Sequence, residues 1–287
     1  MPDFDPKNKL NELNAKEWLK FTKTWFIHNP PPRKKAEMLH PAKYPEDMIE
    51  KFVKFFTKPG GVVFDPFLGT GSTLVACHNT QRNGIGIELQ KKYADIAKDR
   101  LNKIESQLKL GDDGAKLQCK QLVIQANSAD LDNLWQESQL PQIDLVITSP
   151  PYGMMLNKKS LAAKEREEKD LDTKYSEDEH DLGNANNYDD FLQKLTDIFV
   201  KMKPKIKDNG YLVVILQNYM HKGNYITLAW DFAKQMTKHY QLRGERMWLQ
   251  DNKTLYPYGY RYSYVPNVHH QYCLIFKKLE EANENDS

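Results

Sequence analysis

Two stretches hold the residue types from which chemistry can be built, Thr148-Ser149-Pro150-Pro151-Tyr152 and, upstream, Asp65-Pro66-Phe67-Leu68-Gly69-Thr70-Gly71-Ser72-Thr73. In the first, two prolines fix the backbone and remove two amide donors, leaving carbonyl oxygens to face a ligand. The Ser149 hydroxyl and the Pro150 carbonyl can then accept both hydrogens of an amine carried on an aromatic ring. Such an amine is a poor nucleophile, because its lone pair is delocalised into the ring. Holding both hydrogens draws the nitrogen toward tetrahedral geometry and turns the lone pair outward for in-line attack. Serine is too weak a base to take the proton first, so attack precedes proton loss and needs neither a metal nor a covalent intermediate. Tyr152 adds a flat face for the ring to stack on. Ser149, Pro150, Pro151 and Tyr152 are the candidate catalytic residues.

The second stretch runs from a strand directly into a helix, with Gly69 and Gly71 where the backbone must turn tightly beside a ligand. It lacks the third glycine of a dinucleotide fingerprint and the Gly-Lys-Ser/Thr of a phosphate loop, so phosphate is not the expected ligand. Glu88 ends the next strand about 20 residues on, where a carboxylate can accept from both hydroxyls of a ribose. Asp130, after the third strand, is placed to receive an adenine amine. Acidic neighbours suit a cationic sulfonium better than a pyrophosphate. Taken singly, these residues also fit a plain turn and a solvated strand end; their joint occurrence with the Ser-Pro-Pro-Tyr run argues for a site.

The elements that must position these groups alternate. Helices are expected at residues 11–26, 46–57, 72–79, 91–104, 187–202 and 226–239, and strands at 62–65, 84–88, 122–125, 143–148 and 211–216. Short apolar runs separated by helical periods indicate a parallel sheet covered on both faces. Residues 241–249 and 271–277 follow one another without a helix, which suggests an antiparallel strand added at the sheet edge. Residues 1–39 read as a helical, proline-rich segment ahead of one catalytic domain, 40–287.

In these motifs the chain resembles the amino-methyltransferases of the DNA N4-cytosine/N6-adenine group. His40-Pro41-Ala42-Lys43-Tyr44-Pro45, Lys58-Pro59-Gly60, the Asp65 to Thr73 loop, Gly84-Ile85-Gly86-Ile87-Glu88 with Tyr93, Ala97 and Arg100, Ser149 to Tyr152, and the closing His270-Gln271-Tyr272-Cys273-Leu274-Ile275-Phe276-Lys277 carry the likeness over roughly residues 40–278. The resemblance implies an α/β fold of the Rossmann-like class I type, with a seven-stranded, mostly parallel sheet whose last hairpin reverses one strand. It implies S-adenosylmethionine as cofactor, held by Lys43, Tyr44, Pro45, Asp65, Phe67, Gly69, Thr70, Gly71, Ser72, Thr73, Glu88 and Asp130, with Lys43 to Pro45 enclosing the methionine end. It implies double-stranded DNA as substrate and a flipped target base. Ser149 as the first residue of the catalytic run favours cytosine N4 over adenine N6. An RNA base methyltransferase and a non-catalytic nucleotide binder are the competing readings. The missing third glycine and the Ser-Pro-Pro-Tyr run oppose the latter. The cofactor half precedes the catalytic half, the reverse of many members, and no long target-recognition domain is visible.

Recognition is therefore expected from insertions at 153–187 and 250–270. The second interleaves Tyr256, Tyr258, Tyr260, Tyr262 and Tyr264 with Arg261, His269 and His270, a mixture suited to phosphate contact and base stacking, or to a tyrosine loop packed on itself. Residues 164–181 form a dense charge run, read as an exposed helix or loop. Arg33-Lys34-Lys35 can grip a backbone or simply make a solvated basic turn. A net charge of +2 does not announce nucleic acid by itself. Three widely spaced cysteines match neither a zinc pattern nor a disulfide framework, and the scattered histidines have no ligand spacing, so no metal is expected. Without an apolar run of about 20 residues or a leader, the chain reads as cytoplasmic with no membrane partner, and a cognate restriction endonuclease is a further candidate partner.

Overall fold

The computed structural model describes residues 4–29, 44–108, 119–151, 182, 185 and 187–279. Helices α1 (Ala15–Phe21), α2 (Glu46–Phe56), α3 (Ser72–Asn79), α4 (Lys91–Leu108), α5 (Leu131–Ser138), α6 (Tyr188–Met202) and α7 (Leu228–Met236) are interspersed with ten strands. These are β1 (Trp25–Ile27), β2 (Val62–Asp65), β3 (Asn83–Glu88), β4 (Gln121–Gln125), β5 (Ile143–Thr148), β6 (Ile206–Leu216), β7 (Tyr219–His221), β8 (Asn224–Ile226), β9 (Gln241–Leu249) and β10 (His270–Lys277). The main sheet has the order β1-β9-β10-β6-β5-β2-β3-β4, and β7 and β8 form a small hairpin. From β6 to β4 all neighbours are parallel. Counted from β2, the order 3-2-1-4-5 reverses direction between β2 and β5, which is where open α/β sheets bind ligands.

Side-chain alternation places one core on each face. Val62, Phe64 and Val146 pack under α5, α6 and α7. Val63, Leu145 and Ile147 pack against α2, whose Met48, Ile49, Phe52, Val53 and Phe56 form its buried stripe. Ile143 breaks the alternation of β5, lying on the same face as Val146, because the β5–β6 register shifts between Ile143 and Leu145. Asn218, fully buried after β6, accepts from the Ala229 amide at 2.8 Å and so anchors the start of α7, where Thr227 makes no side-chain cap.

Two expectations are corrected. The sheet has eight strands, and its reversed strand is interior: β10 runs antiparallel to both β6 and β9. Tyr272 to Phe276 form an unbroken apolar run, which suits a strand covered on both faces, whereas an edge needs polar alternation. The edge belongs to β1, which pairs parallel with β9. Residues 11–26 are accordingly not one helix. Asn14 begins α1 with a reciprocal capping box to Glu17, and the helix stops at Phe21 so that Trp25 to Ile27 can join the sheet.

The N-terminal segment is thereby packed on the domain. Asn11, fully buried, donates to the Phe55 carbonyl at 2.6 Å. The Arg246 guanidinium lies over the rings of Phe21 and Phe26, at 4.0 and 4.6 Å, and its Nε donates to the Lys23 carbonyl at 2.9 Å. Burial lowers the Arg246 pKa to about 10, which leaves it charged at neutral pH.

Candidate active site

The carboxyl ends of four adjacent strands meet in one cleft with about 580 Å³ of space open to solvent. Pro66 and Phe67 come from the end of β2, Glu88, Leu89 and Gln90 from β3, Asn127 and Ser128 from β4, and Ser149 and Pro151 from β5. The strand order thus joins the two stretches, about 80 residues apart in sequence, that carry the candidate chemistry.

Beneath this cleft a buried network holds the glycine loop. Asp65, fully buried at the tip of β2, accepts from the hydroxyls of Tyr44 (2.5 Å), Thr73 (2.5 Å) and Thr148 (2.6 Å) and from the Phe67 amide (3.0 Å). Burial raises the Asp65 carboxyl above its ordinary range, against the pull of these bonds. The same burial, reinforced by the Asp65 charge, pushes the Tyr44 phenol far above its usual value, so it remains a donor. The Tyr44 and Thr73 hydroxyl oxygens also lie against each other on the same Asp65 oxygen. Asp65, Tyr44 and Thr73 therefore brace the loop from below, and Thr148 ties it to the strand that delivers Ser149. Arg100 on α4 adds a bond to the Thr70 carbonyl at 2.5 Å and pairs with Glu46.

Glu88 is held from two sides. Its Oε2 accepts from the Gly69 amide at 2.8 Å and its Oε1 from the Gln90 amide at 2.9 Å. Gly69, at φ 56°, uses the left-handed region to point that amide at the carboxylate. Gly71 also serves the packing of two helices. It caps α3 at φ 87°, and a Cβ there would lie 2.9 Å from the Ala97 Cβ of α4.

The remaining sequence candidates fall into place unevenly. Phe67, Glu88, Ser149 and Pro151 line the cleft. Pro150 is buried. The Thr70 and Ser72 hydroxyls are buried without a hydrogen-bond partner among the described residues. Pro45 caps α2 behind Tyr44. Asp130 is exposed in the turn Ser128–Asp130 and does not line the cleft, where Asn127 and Ser128 stand instead. Lys43 and Tyr152 lie outside the described residues, as do His40, Arg33 to Lys35 and nearly all of the 153–187 insertion.

Sequence reasoning missed Gln90, Leu182 and Ile198, all of which line the cleft. Gln90, two residues past Glu88, carries a buried amide nitrogen without a partner among the described residues. Its position just beyond the strand end was a usable signal. Leu182 and Ile198 are distant in sequence, and only the packing of α6 on the sheet brings Ile198 there. Among the described residues no group of His, Cys, Asp and Glu could hold a metal ion. None of their helices is long and apolar enough to cross a membrane. Cys77, Cys119 and Cys273 are unpaired; burial pushes the Cys273 thiol up to about 12 and the Cys77 thiol higher still.

A doubly wound sheet with its ligand cleft at the switch point and its last hairpin folded back into the sheet is the Rossmann-like class I methyltransferase fold. Within that class, the chain belongs to the family described as DNA methylase, which it matches over residues 4–99 and 143–287. It is 41% identical over 73 residues to the Type II methyltransferase M.BglII of Bacillus subtilis, covering 25% of this chain and 20% of that protein. Over 67 residues it is 40% identical to the orphan methyltransferase M.BamHII of Bacillus amyloliquefaciens, covering 23% and 25%. The matched stretches thus span a fifth to a quarter of these relatives. An rRNA methylase from Streptococcus thermophilus aligns over 84% of this chain and all of its own with a TM-score of 0.48 at 12% identity, and the strand order rather than this likeness carries the fold.

Proposed function

We propose that this chain transfers a methyl group from S-adenosylmethionine to the exocyclic amine of a base in double-stranded DNA, with cytosine N4 as the favoured acceptor and adenine N6 as the alternative. The observation that carries this reading is the meeting of Glu88 and Ser149 in one cleft. The cleft suits the cofactor. A carboxylate oriented by two backbone amides can take ribose hydroxyls, Phe67, Ile87 and Tyr93 offer apolar walls for a purine, and the unpartnered Gln90 amide offers a donor. When bound, the cofactor supplies an electrophilic methyl group.

The chain's own part is orientation. Ser149 and the Pro150 carbonyl would accept the two amine hydrogens and aim the nitrogen lone pair, which the base cannot do while conjugated and stacked. An amine inside a duplex is out of reach, so the base must leave the stack. Tyr152 would hold it by stacking, and Ser149 as the first residue of the run is what favours cytosine.

The 250–270 insertion supports a DNA substrate. It joins β9 to β10 at the sheet end where β6 and β5 also finish. Tyr256 and Tyr258 pack together at 5.6 Å and Arg261 lies over Tyr260, but Tyr262 and Tyr264 are 93% and 90% exposed, free to meet bases. A cognate restriction endonuclease belongs to the same proposal, since two kinds of name, Type II and orphan, occur among the relatives.

The test is incubation with methyl-labelled S-adenosylmethionine and unmethylated genomic DNA, followed by nucleoside digestion and mass spectrometry. N4-methylcytosine is expected. N6-methyladenine would keep the transfer and overturn the base; label that enters RNA alone would overturn the DNA substrate.

A further inference from the structure

The opposite end of the sheet carries a larger groove, about 1520 Å³ counted out to solvent, at the starts of β2, β5 and β6. Its floor includes Trp18, Phe56 and Tyr211, and its walls are rich in lysine. The two carboxylates in it are already matched. Asp144 takes Lys207 at 2.7 Å and the Val62 amide at 2.8 Å, and Asp208 takes Lys278 at 3.1 Å. Lys7, Lys9, Lys58 and Lys277 also line the groove, and among the described residues none of them has an ion pair. Among the described residues these four cations have no matching carboxylate in the groove. Lysines left unpaired beside exposed backbone and aromatic edges fit an extended polyanion, whose charges recur along its length, better than a single compact anion.

We propose that this groove grips the sugar–phosphate backbone of a second DNA segment, distinct from the one whose base enters the cleft at the other end; that a first segment occupies the cleft rests on the function proposed above. The two sites lie at opposite ends of the parallel strands. Strand β5, which runs from Asp144's neighbour Ile143 to Thr148, separates them by six residues, about 20 Å at the rise of a strand. A long DNA can bend or loop to reach both, and two duplexes can be held side by side.

The experiment compares the full-length protein with its Lys7→Gln/Lys9→Gln/Lys58→Gln variant, in which three charges of the groove wall are removed and the catalytic cleft is untouched. Affinity is measured against salt concentration for a duplex of one helical turn and for one of several hundred base pairs. On the long DNA the slope of log affinity against log salt should be shallower in the variant by about 2.7, at about 0.9 for each phosphate no longer neutralised. On the short duplex, methylation should be the same for both proteins, and the variant should lose only the groove's share of the binding. Equal slopes on the long DNA would overturn the proposal. So would displacement by poly-glutamate of a groove-bound probe that DNA leaves in place, since that would assign the groove to an acidic protein. Failure of the function proposed above would show differently, as long-DNA binding that keeps its lysine dependence without any methylated base.

Discussion

Glu88 shows how one side chain can be oriented by the loop beside it. Each of its oxygens accepts a backbone amide, from Gly69 and Gln90, which fixes the carboxylate at the end of β3. Glu88→Gln keeps the shape, removes the charge and places an amide donor against one of those backbone N–H groups. Hydrogen bonds to charged groups contribute about 1.5–3 kcal/mol, so S-adenosylmethionine affinity measured by titration calorimetry should fall at least about tenfold. The fold should survive, because Asp65 and not Glu88 ties the loop to β5 and α3. Unchanged affinity would remove Glu88 from the binding role. Part of the cleft's lining is legible at this scale, since Glu88 and Ser149 were identifiable from type and spacing and Phe67 from the resemblance. Asp130 shows the limit. A carboxylate three residues past Asn127 is displaced from the cleft by a single 3-10 turn that no residue pattern announces.

At the scale of elements, the loop between β2 and α3 depends on how closely α3 approaches α4. Gly71 sits at φ 87°, and a Cβ on it would lie 2.9 Å from the Ala97 Cβ, so an alanine there meets both a backbone strain and a clash. Gly71→Ala should cost roughly 2–5 kcal/mol, combining about 1–2 for the left-handed conformation with about 1–3 for overpacking. Urea denaturation of a double-mutant cycle with Ala97→Gly separates the two, because removing the Ala97 methyl should reduce the cost of Gly71→Ala to the backbone part. An undiminished cost in that background would show that Ala97 is not the neighbour that requires glycine. The helix boundaries of α3, the strand β5 and the strand β9 agree with their sequence periods, whereas α1 is shorter than its period because its last turn gives way to a strand. Local preference favours continuing the amphipathic helix; pairing Trp25 to Ile27 with Met247 to Leu249 overrides it.

Across the whole molecule, the N-terminal segment is joined to the far edge of the sheet by one buried cation. Arg246 stacks on Phe21 and Phe26 and holds the Lys23 carbonyl, interactions of about 2–4 kcal/mol together in a desolvated setting. Arg246→Met, which keeps much of the stem, should speed hydrogen exchange in residues 15–29 and in β9 by the corresponding factor while S-adenosylmethionine affinity stays within about twofold. Uniform loss of protection across the sheet would mean that the segment and the domain unfold together instead. By itself the sequence determined the alternating α/β class, the loop chemistry, and the two stretches that must converge, because tight turns, backbone without amide donors and carboxylates at strand ends are local properties of residue type. Only the tertiary structure decided that β10 lies inside the sheet with β1 beyond it, that Ile198 walls the cleft, and that four lysines from three distant stretches share a groove. Those arrangements follow from which strand edges and faces find partners, a competition among elements far apart in the chain that no local pattern encodes.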